Sequence, residues 1–153
     1  MAELIETSID VKANIVKQDP TEKGIRKALN LGHTIGHAFE SYSHQTNRPI
    51  LHGYAVAWGL IGELFLSFKL QGFPQSVLTE TVRFIRENYG VFEISCNDYP
   101  ALYEYMAHDK KNATAGEINF TLLKGVGDIV PNCIVEKELI YQSLDFYRDS
   151  VGI

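Results

Sequence analysis

The sequence predicts a mainly α-helical protein with one small β-hairpin near its C-terminal end. Three observations carry that reading. Apolar residues recur every three or four positions in successive segments. Residues 53–70 are apolar nearly all round, as in a helix buried on most sides. Two short runs rich in β-branched residues flank Gly125-Val126-Gly127-Asp128, a turn-forming stretch. A length of 153 residues fits a single domain, residues 1–153, large enough to bury its own core. Hydrophobic residues make up 45% and charged residues 22%, which excludes long disorder.

In chain order, Leu4, Ile5, Ile9, Val11, Ile15 and Val16 keep helical spacing and predict a helix that stops before Pro20. Asp19-Pro20-Thr21-Glu22-Lys23-Gly24 reads as a turn, with Asp19 or Thr21 capping the next helix. The spacing predicts that second helix over 25–42, although Gly32 and Gly36 lie inside it. Each glycine costs a helix about 1 kcal/mol relative to alanine. Two at helical spacing imply that another backbone or a ligand approaches that face closely. Polar residues 41–49 predict a loop, 53–70 the buried helix, and 74–89 an amphipathic helix stopped at Gly90. A short helix is expected over 99–108, strands over 118–123 and 129–135, and a closing helix over 137–147. No internal repeat is present.

Charge and composition narrow the function. Fourteen Lys and Arg against nineteen Asp and Glu leave a net charge of −5, which argues against nucleic acid or an anionic membrane as the main partner. The longest apolar span, 54–68, is short and carries Glu63, so no membrane crossing is expected. The acidic N-terminus lacks the features of a signal peptide. Cys96 and Cys133 form no CxxC pair, which excludes a thiolate zinc site and suits a reducing, cytoplasmic setting.

The dense chemistry lies in Asn30-Leu31-Gly32-His33-Thr34-Ile35-Gly36-His37, followed by His52-Gly53. His33 and His37 are four apart, so on a helix they share one face, with about 5–6 Å between Cβ atoms. Two imidazoles on one face can jointly bind a divalent transition metal. His52 returns to the level of His33 if its helix packs antiparallel. A bare HxxxH pair is more often bonded to backbone; the adjoining glycines favour a ligand by clearing space. A zincin mechanism is excluded, because Thr34 stands where its general-base glutamate belongs. Arg26 and Asn30 are expected to continue the stripe of His33 and His37 along one helix. A lone arginine is usually a solvated surface residue, but its planar fork suits phosphate or carboxylate.

These residues resemble the 3-dehydroquinate synthase family, within the wider sugar-phosphate cyclases. The resemblance rests on Lys12, Asp19, Glu22-Lys23-Gly24-Ile25-Arg26, Leu29-Asn30, Gly32-His33-Thr34, Gly36-His37-Ala38 and Glu40. It continues through His52-Gly53, Ala55-Val56 and Met106-Ala107-His108-Asp109-Lys110-Lys111. It implies the mainly α, multi-helical C-terminal domain of the dehydroquinate synthase-like fold. His33 and His52 would be ligands of zinc, or of another divalent metal such as cobalt. His37 would contact substrate and help proton transfer, with Glu22 a polar, proton-handling group of the same pocket. Lys12, Arg26 and Asn30 would bind carboxylate, phosphate or hydroxyls of the substrate, as would one of Lys110 and Lys111.

The implied reaction converts the keto-acid phosphate DAHP to 3-dehydroquinate with loss of phosphate, a lyase step of the shikimate pathway toward aromatic amino acids. It uses NAD, held in such proteins by an N-terminal domain with a glycine-rich site. No such site follows a strand here, since Gly125-Val126-Gly127 lacks a third glycine and sits in the hairpin. The third zinc ligand of the family, a glutamate, would lie upstream of residue 1. The chain is therefore expected to be the zinc- and substrate-binding domain without its NAD domain. Alone it is expected to be inactive, not to bind NAD and to bind zinc weakly. The whole enzyme is expected to be a cytoplasmic homodimer. Alternatives are another sugar-phosphate cyclase or a metal-dependent alcohol dehydrogenase of the glycerol dehydrogenase type; Lys12, Arg26 and Lys110 favour the cyclase. His44 is expected to be solvated, His108 to sit at a helix end, Trp58 to be core, and both cysteines to be free thiols.

Overall fold

The computed structural model describes residues 2–108 and 117–153. The expected substrate contacts of Lys110 and Lys111 therefore lie outside the described residues. The order of elements is α1 (Ala2–Gln18), a 3-10 turn (Ile25–Asn30), α2 (His33–Gln45), α3 (His52–Gln71) and α4 (Gln75–Tyr89). A second 3-10 turn (Cys96–Asp98), α5 (Tyr99–Ala107), β1 (Asn119–Gly125), β2 (Asp128–Ile134) and α6 (Lys137–Val151) complete it. The mainly α reading with a late hairpin is what the chain adopts.

The centre of the fold is α3, which packs against α2, α4, α6 and β1. Its sequence is apolar on most sides because neighbours surround it. Ile61 and Leu66 on α3 are fully excluded from water, as are Phe39 on α2, Leu102 on α5 and Leu144 on α6. Burying one such side chain is worth about 1.5–3 kcal/mol. Trp58 is core as expected; its ring stacks on Phe92 at 5.7 Å and its indole N–H donates to the Gly90 carbonyl at 3.0 Å. Among the described residues no helix is long and apolar enough to cross a membrane.

Helices α2 and α3 meet backbone to backbone. A Cβ added to Gly36 would stand 3.0 Å from the Ala55 carbonyl oxygen. The glycines at helical spacing thus mark a close helix crossing, one of the two causes expected.

Two elements differ from the sequence reading. Residues 25–42 do not form one helix. The 3-10 turn ends at Leu31, which is extended, and Gly32 takes a left-handed conformation (φ 78°) before α2 begins. A Cβ on Gly32 would stand 2.8 Å from Leu60 Cγ and 2.9 Å from the Val56 carbonyl oxygen. The break therefore lets the chain change direction where α3 leaves no room for a side chain. Residues 41–45, expected as loop, are the last turn of α2. Ser41, His44 and Gln45 are polar because they face solvent from a helix rather than from a loop, while Ser43 is buried and donates to the Glu40 carbonyl at 2.7 Å. Accordingly His44, though exposed, is helical.

The first helix forms where its periodicity predicts, but none of its residues is buried. It packs against the 3-10 turn Ile25–Asn30. In the hairpin, β1 runs antiparallel to β2 through Gly127, whose φ is +78°. Phe120 and Leu122 are fully buried, and Ser67 Oγ on α3 accepts the Leu123 N–H at 3.0 Å. Between the pairs Phe120↔Cys133 and Leu122↔Val130, Thr121 faces two residues, Pro131 and Asn132. This bulge leaves Asn132 at φ 60°. Its side-chain oxygen accepts the Lys27 ammonium and so ties the hairpin to the 3-10 turn.

Candidate metal centre

Each histidine is placed by a helix start. His33 is the first residue of α2, His37 lies one turn later, and His52 opens α3 after an extended Leu51. The three rings converge. Their centroids are 5.3 Å apart for His33–His37, 5.4 Å for His33–His52 and 5.6 Å for His37–His52. One nitrogen from each lies within 4.8 Å of the others. His33 and His37 are half-buried and His52 is exposed, so the cluster opens to solvent.

Two rings are oriented by outer hydrogen bonds. His33 Nδ1 lies 3.0 Å from the Leu31 carbonyl oxygen, and His52 Nδ1 lies 2.9 Å from Glu40 Oε2. A carbonyl or carboxylate oxygen only accepts, so each Nδ1 carries the proton and donates. Nε2 is then the nitrogen each ring can offer a cation. A histidine ligand whose other nitrogen donates to a carboxylate or carbonyl is the usual supporting arrangement of a metal site. Clustered imidazoles without thiolates suit a borderline divalent ion such as zinc or cobalt, and a site of so few protein ligands leaves positions open for substrate.

The residues expected beside the histidines occupy different elements. Arg26 and Asn30 lie on the 3-10 turn rather than on α2, so the single-helix stripe of Arg26, Asn30, His33 and His37 does not form. The turn is organised by Asp19, whose carboxylate accepts N–H groups of Gly24 at 2.7 Å, Lys23 at 3.0 Å and Arg26 at 3.1 Å. The Gly24 N–H, then that of Lys23, holds this half-buried carboxyl below its ordinary value. The expected cap is therefore Asp19. Arg26 donates to the Pro20 carbonyl at 2.9 Å. Glu22 sits at φ 57° and accepts the Asn30 amide at 2.5 Å.

Glu22 and Asn30 line a polar cavity of about 330 Å³ with Lys27, Thr34, Asn119, Thr121 and Asn132. Lys12 is exposed on α1. Of the expected site residues, the structure thus gathers His33, His37 and His52, sets Glu22 and Asn30 together in the cavity, and leaves Lys12 on an outer helix. His108 caps the end of α5, as expected, with Nδ1 2.7 Å from the Glu104 carbonyl. Cys96 and Cys133 are free thiols.

Sequence reasoning assigns Glu40 no separate role, although its signal is present: Glu40 is seven residues after His33 and three after His37, on the same helical face. Glu63, in sequence only an interruption of an apolar span, is fully buried and bonded to the start of α2.

Comparison with known proteins places these features in a lineage. The family model for the 3-dehydroquinate synthase C-terminal region matches residues 1–112. A 3-dehydroquinate synthase of Parabacteroides distasonis is 59% identical over 150 residues, covering 98% of this chain and 42% of that protein. One from Listeria welshimeri is 39% identical over 142 residues, covering 91% of this chain and 37% of that protein. The chain thus spans less than half the length of the curated relatives it matches. A solved 2-deoxy-scyllo-inosose synthase, complexed with carbaglucose-6-phosphate, NAD+ and Co2+, superposes with a TM-score of 0.74 at 25% identity. It covers 92% of this chain and 39% of that one. By the sequence of its first 112 residues and by its helical fold, the chain belongs to the 3-dehydroquinate synthase C-terminal family.

Proposed function

We propose that this chain is the metal- and substrate-binding part of a 3-dehydroquinate synthase, which converts DAHP to 3-dehydroquinate and phosphate in the shikimate pathway. The observation that carries the reading is the convergence of His33, His37 and His52, with two of the rings already turned by Leu31 and Glu40. His33 and His52 are the proposed cation ligands, through Nε2. Zinc is the proposed ion; the Co2+ named for the structural relative has the same preference for imidazole. When bound, such an ion supplies Lewis acidity, lowering the pKa of coordinated water toward neutrality.

The other roles fall to this chain's own side chains. His37, next to both ligands but with its own ring position, holds or moves a proton at the substrate. Arg26 and Lys12 supply fixed positive charge for phosphate and carboxylate, as does Lys110 or Lys111. Asn30 and Glu22, already paired, present amide and carboxylate groups to hydroxyls. NAD supplies the hydride chemistry of the whole enzyme. We assign it to a portion of the protein beyond these residues, in keeping with relatives more than twice as long. The enzyme is read as a cytoplasmic homodimer.

A second cyclase reading is favoured by the match to 2-deoxy-scyllo-inosose synthase. One experiment addresses both. Residues 1–153 are joined to the preceding part of the Parabacteroides relative, and product formation is followed with NAD and Co2+ or Zn2+. The expected result is dehydroquinate from DAHP in the joined protein and none from the chain alone. Turnover of glucose 6-phosphate but not DAHP would favour the second reading. No turnover of either, while the relative itself works, would overturn the assignment.

A further inference from the structure

We propose that Glu63 is a positioning residue of the histidine centre: its buried carboxylate supplies, from α3, the N-terminal cap that α2 cannot make for itself. The inference rests on the reading of His33, His37 and His52 as a metal site.

The first N–H groups of any α-helix lack partners within the helix. A Ser, Thr, Asp or Asn side chain at the N-cap usually accepts one of them. The N-cap of α2 is Gly32, which has no side chain to offer. It cannot readily be replaced, because its φ is +78° and a Cβ there would press on Leu60 and on the Val56 carbonyl. The packing that brings α2 against α3 has therefore removed the ordinary cap.

Glu63 answers that deficit. It is fully buried on α3. Its Oε2 accepts the Gly32 N–H at 2.6 Å, and its Oε1 accepts the Ile35 N–H at 3.0 Å. These are the N-cap and N3 amides, the same pair that a capping box satisfies within one helix. Here the box is assembled between two helices. The carboxylate thus lies at the positive end of the α2 dipole, where such a group suits the unpaired amides.

The consequence reaches the imidazoles. His33 lies between the two clamped amides. The clamp belongs to the helix whose first residue is His52, eleven residues earlier and so about 16 Å along the axis. One rigid element thus carries His52 at one point and grips the backbone on either side of His33, at Gly32 and Ile35, at another. Metal geometry tolerates displacements of about 0.5 Å, so loss of the grip disturbs the cation site without removing a ligand.

The test uses Co2+ as the probe, with Glu63→Gln and Glu63→Ala. Affinity is read by chelator competition, site geometry by the visible Co2+ spectrum, and folding by circular dichroism. The proposal expects both variants to bind Co2+ more weakly, by about tenfold or more for alanine and less for glutamine, with a changed spectrum. A variant that loses thermal stability yet keeps the wild-type affinity and spectrum would overturn it. If neither variant folds, hydrogen exchange in the wild-type protein decides. The Gly32 and Ile35 amides are expected to be protected, and free exchange there would overturn the clamp. Failure of the wild-type protein to bind Co2+ would sink the metal reading and the inference together. Wild-type binding with unchanged variants would sink the inference alone.

Discussion

Gly59 on α3 lies directly against Gly36 on α2: a Cβ added at Gly59 would stand 2.6 Å from the Gly36 nitrogen and 2.2 Å from the Gly32 carbonyl oxygen. All of these neighbours are backbone, so none can rotate away. Gly59→Ala is therefore expected to force the two helices apart, at a cost of about 3 kcal/mol, the upper end of ordinary overpacking. Urea denaturation measures this. The same variant should weaken Co2+ binding, since the helices carry the converging histidines. Wild-type stability in Gly59→Ala would show that the crossing is looser than described.

Removing the Glu40 carboxylate should act on the metal without touching a ligand. Glu40→Ala leaves His52 without its Nδ1 partner, and a loss of about 10–100-fold in zinc affinity is expected. Glu40→Gln, which keeps an acceptor oxygen, should lose less. Isothermal titration with Zn2+ separates the two; identical affinities for wild type and alanine variant would remove Glu40 from the centre.

The three histidines should divide by role. His33→Ala and His52→Ala are expected to abolish measurable metal binding. His37→Ala is expected to keep one ion per chain and, in the joined protein, to lose turnover. Metal analysis after dialysis reads the first outcome and steady-state kinetics the second. Loss of the ion from His37→Ala would instead make all three rings ligands.

Tyr147 is fully buried, and its hydroxyl donates to the Phe92 carbonyl at 2.9 Å while accepting the Phe92 N–H at 3.0 Å. Burial, first, pushes its phenol pKa well above the ordinary range. Tyr147→Phe orphans both backbone groups and should cost about 1–3 kcal/mol. A chemical denaturation midpoint no lower than wild type would contradict this.

The turn held by Asp19 should respond to acid. The folded-state pKa of Asp19 is lowered from 3.8 by the Gly24 and Lys23 N–H groups. Its contribution is thus fully present above 3.8 and is lost as pH falls through the lower folded value. Asp19→Ala should accordingly be less stable than wild type at neutral pH, with the gap closing in strong acid. A pH-independent gap would show that the carboxylate charge plays no part.

Much of this fold is legible in the sequence because it is written in local periodicity. The helices around Trp58, Leu78 and Leu102 and the strands around Phe120 and Ile129 follow from apolar spacing alone. The convergence of His33, His37 and His52 follows from two helix faces and one short loop. What escapes depends on through-space packing. The break at Gly32 is imposed by Leu60 and Val56, on the next helix of the chain, and no local rule distinguishes it from a tolerated helical glycine. That break also moves Arg26 and Asn30 off the histidine face. Glu63 looks like a flaw in an apolar run because its partners, Gly32 and Ile35, are amides, which sequence does not single out. Residues 41–45 mislead for a simpler reason: polar composition marks solvent as readily as it marks a loop.

All three imidazoles come from one short stretch of chain, His33 to His52, joined by the segment between Gln45 and His52. Closing so small a loop sacrifices little chain entropy, and that entropy grows only slowly with length. The cation-holding geometry is thus a local helix–loop–helix device, assembled from near neighbours in the chain. Its formation draws on contacts of low sequence separation, the kind that form fastest when a polypeptide collapses.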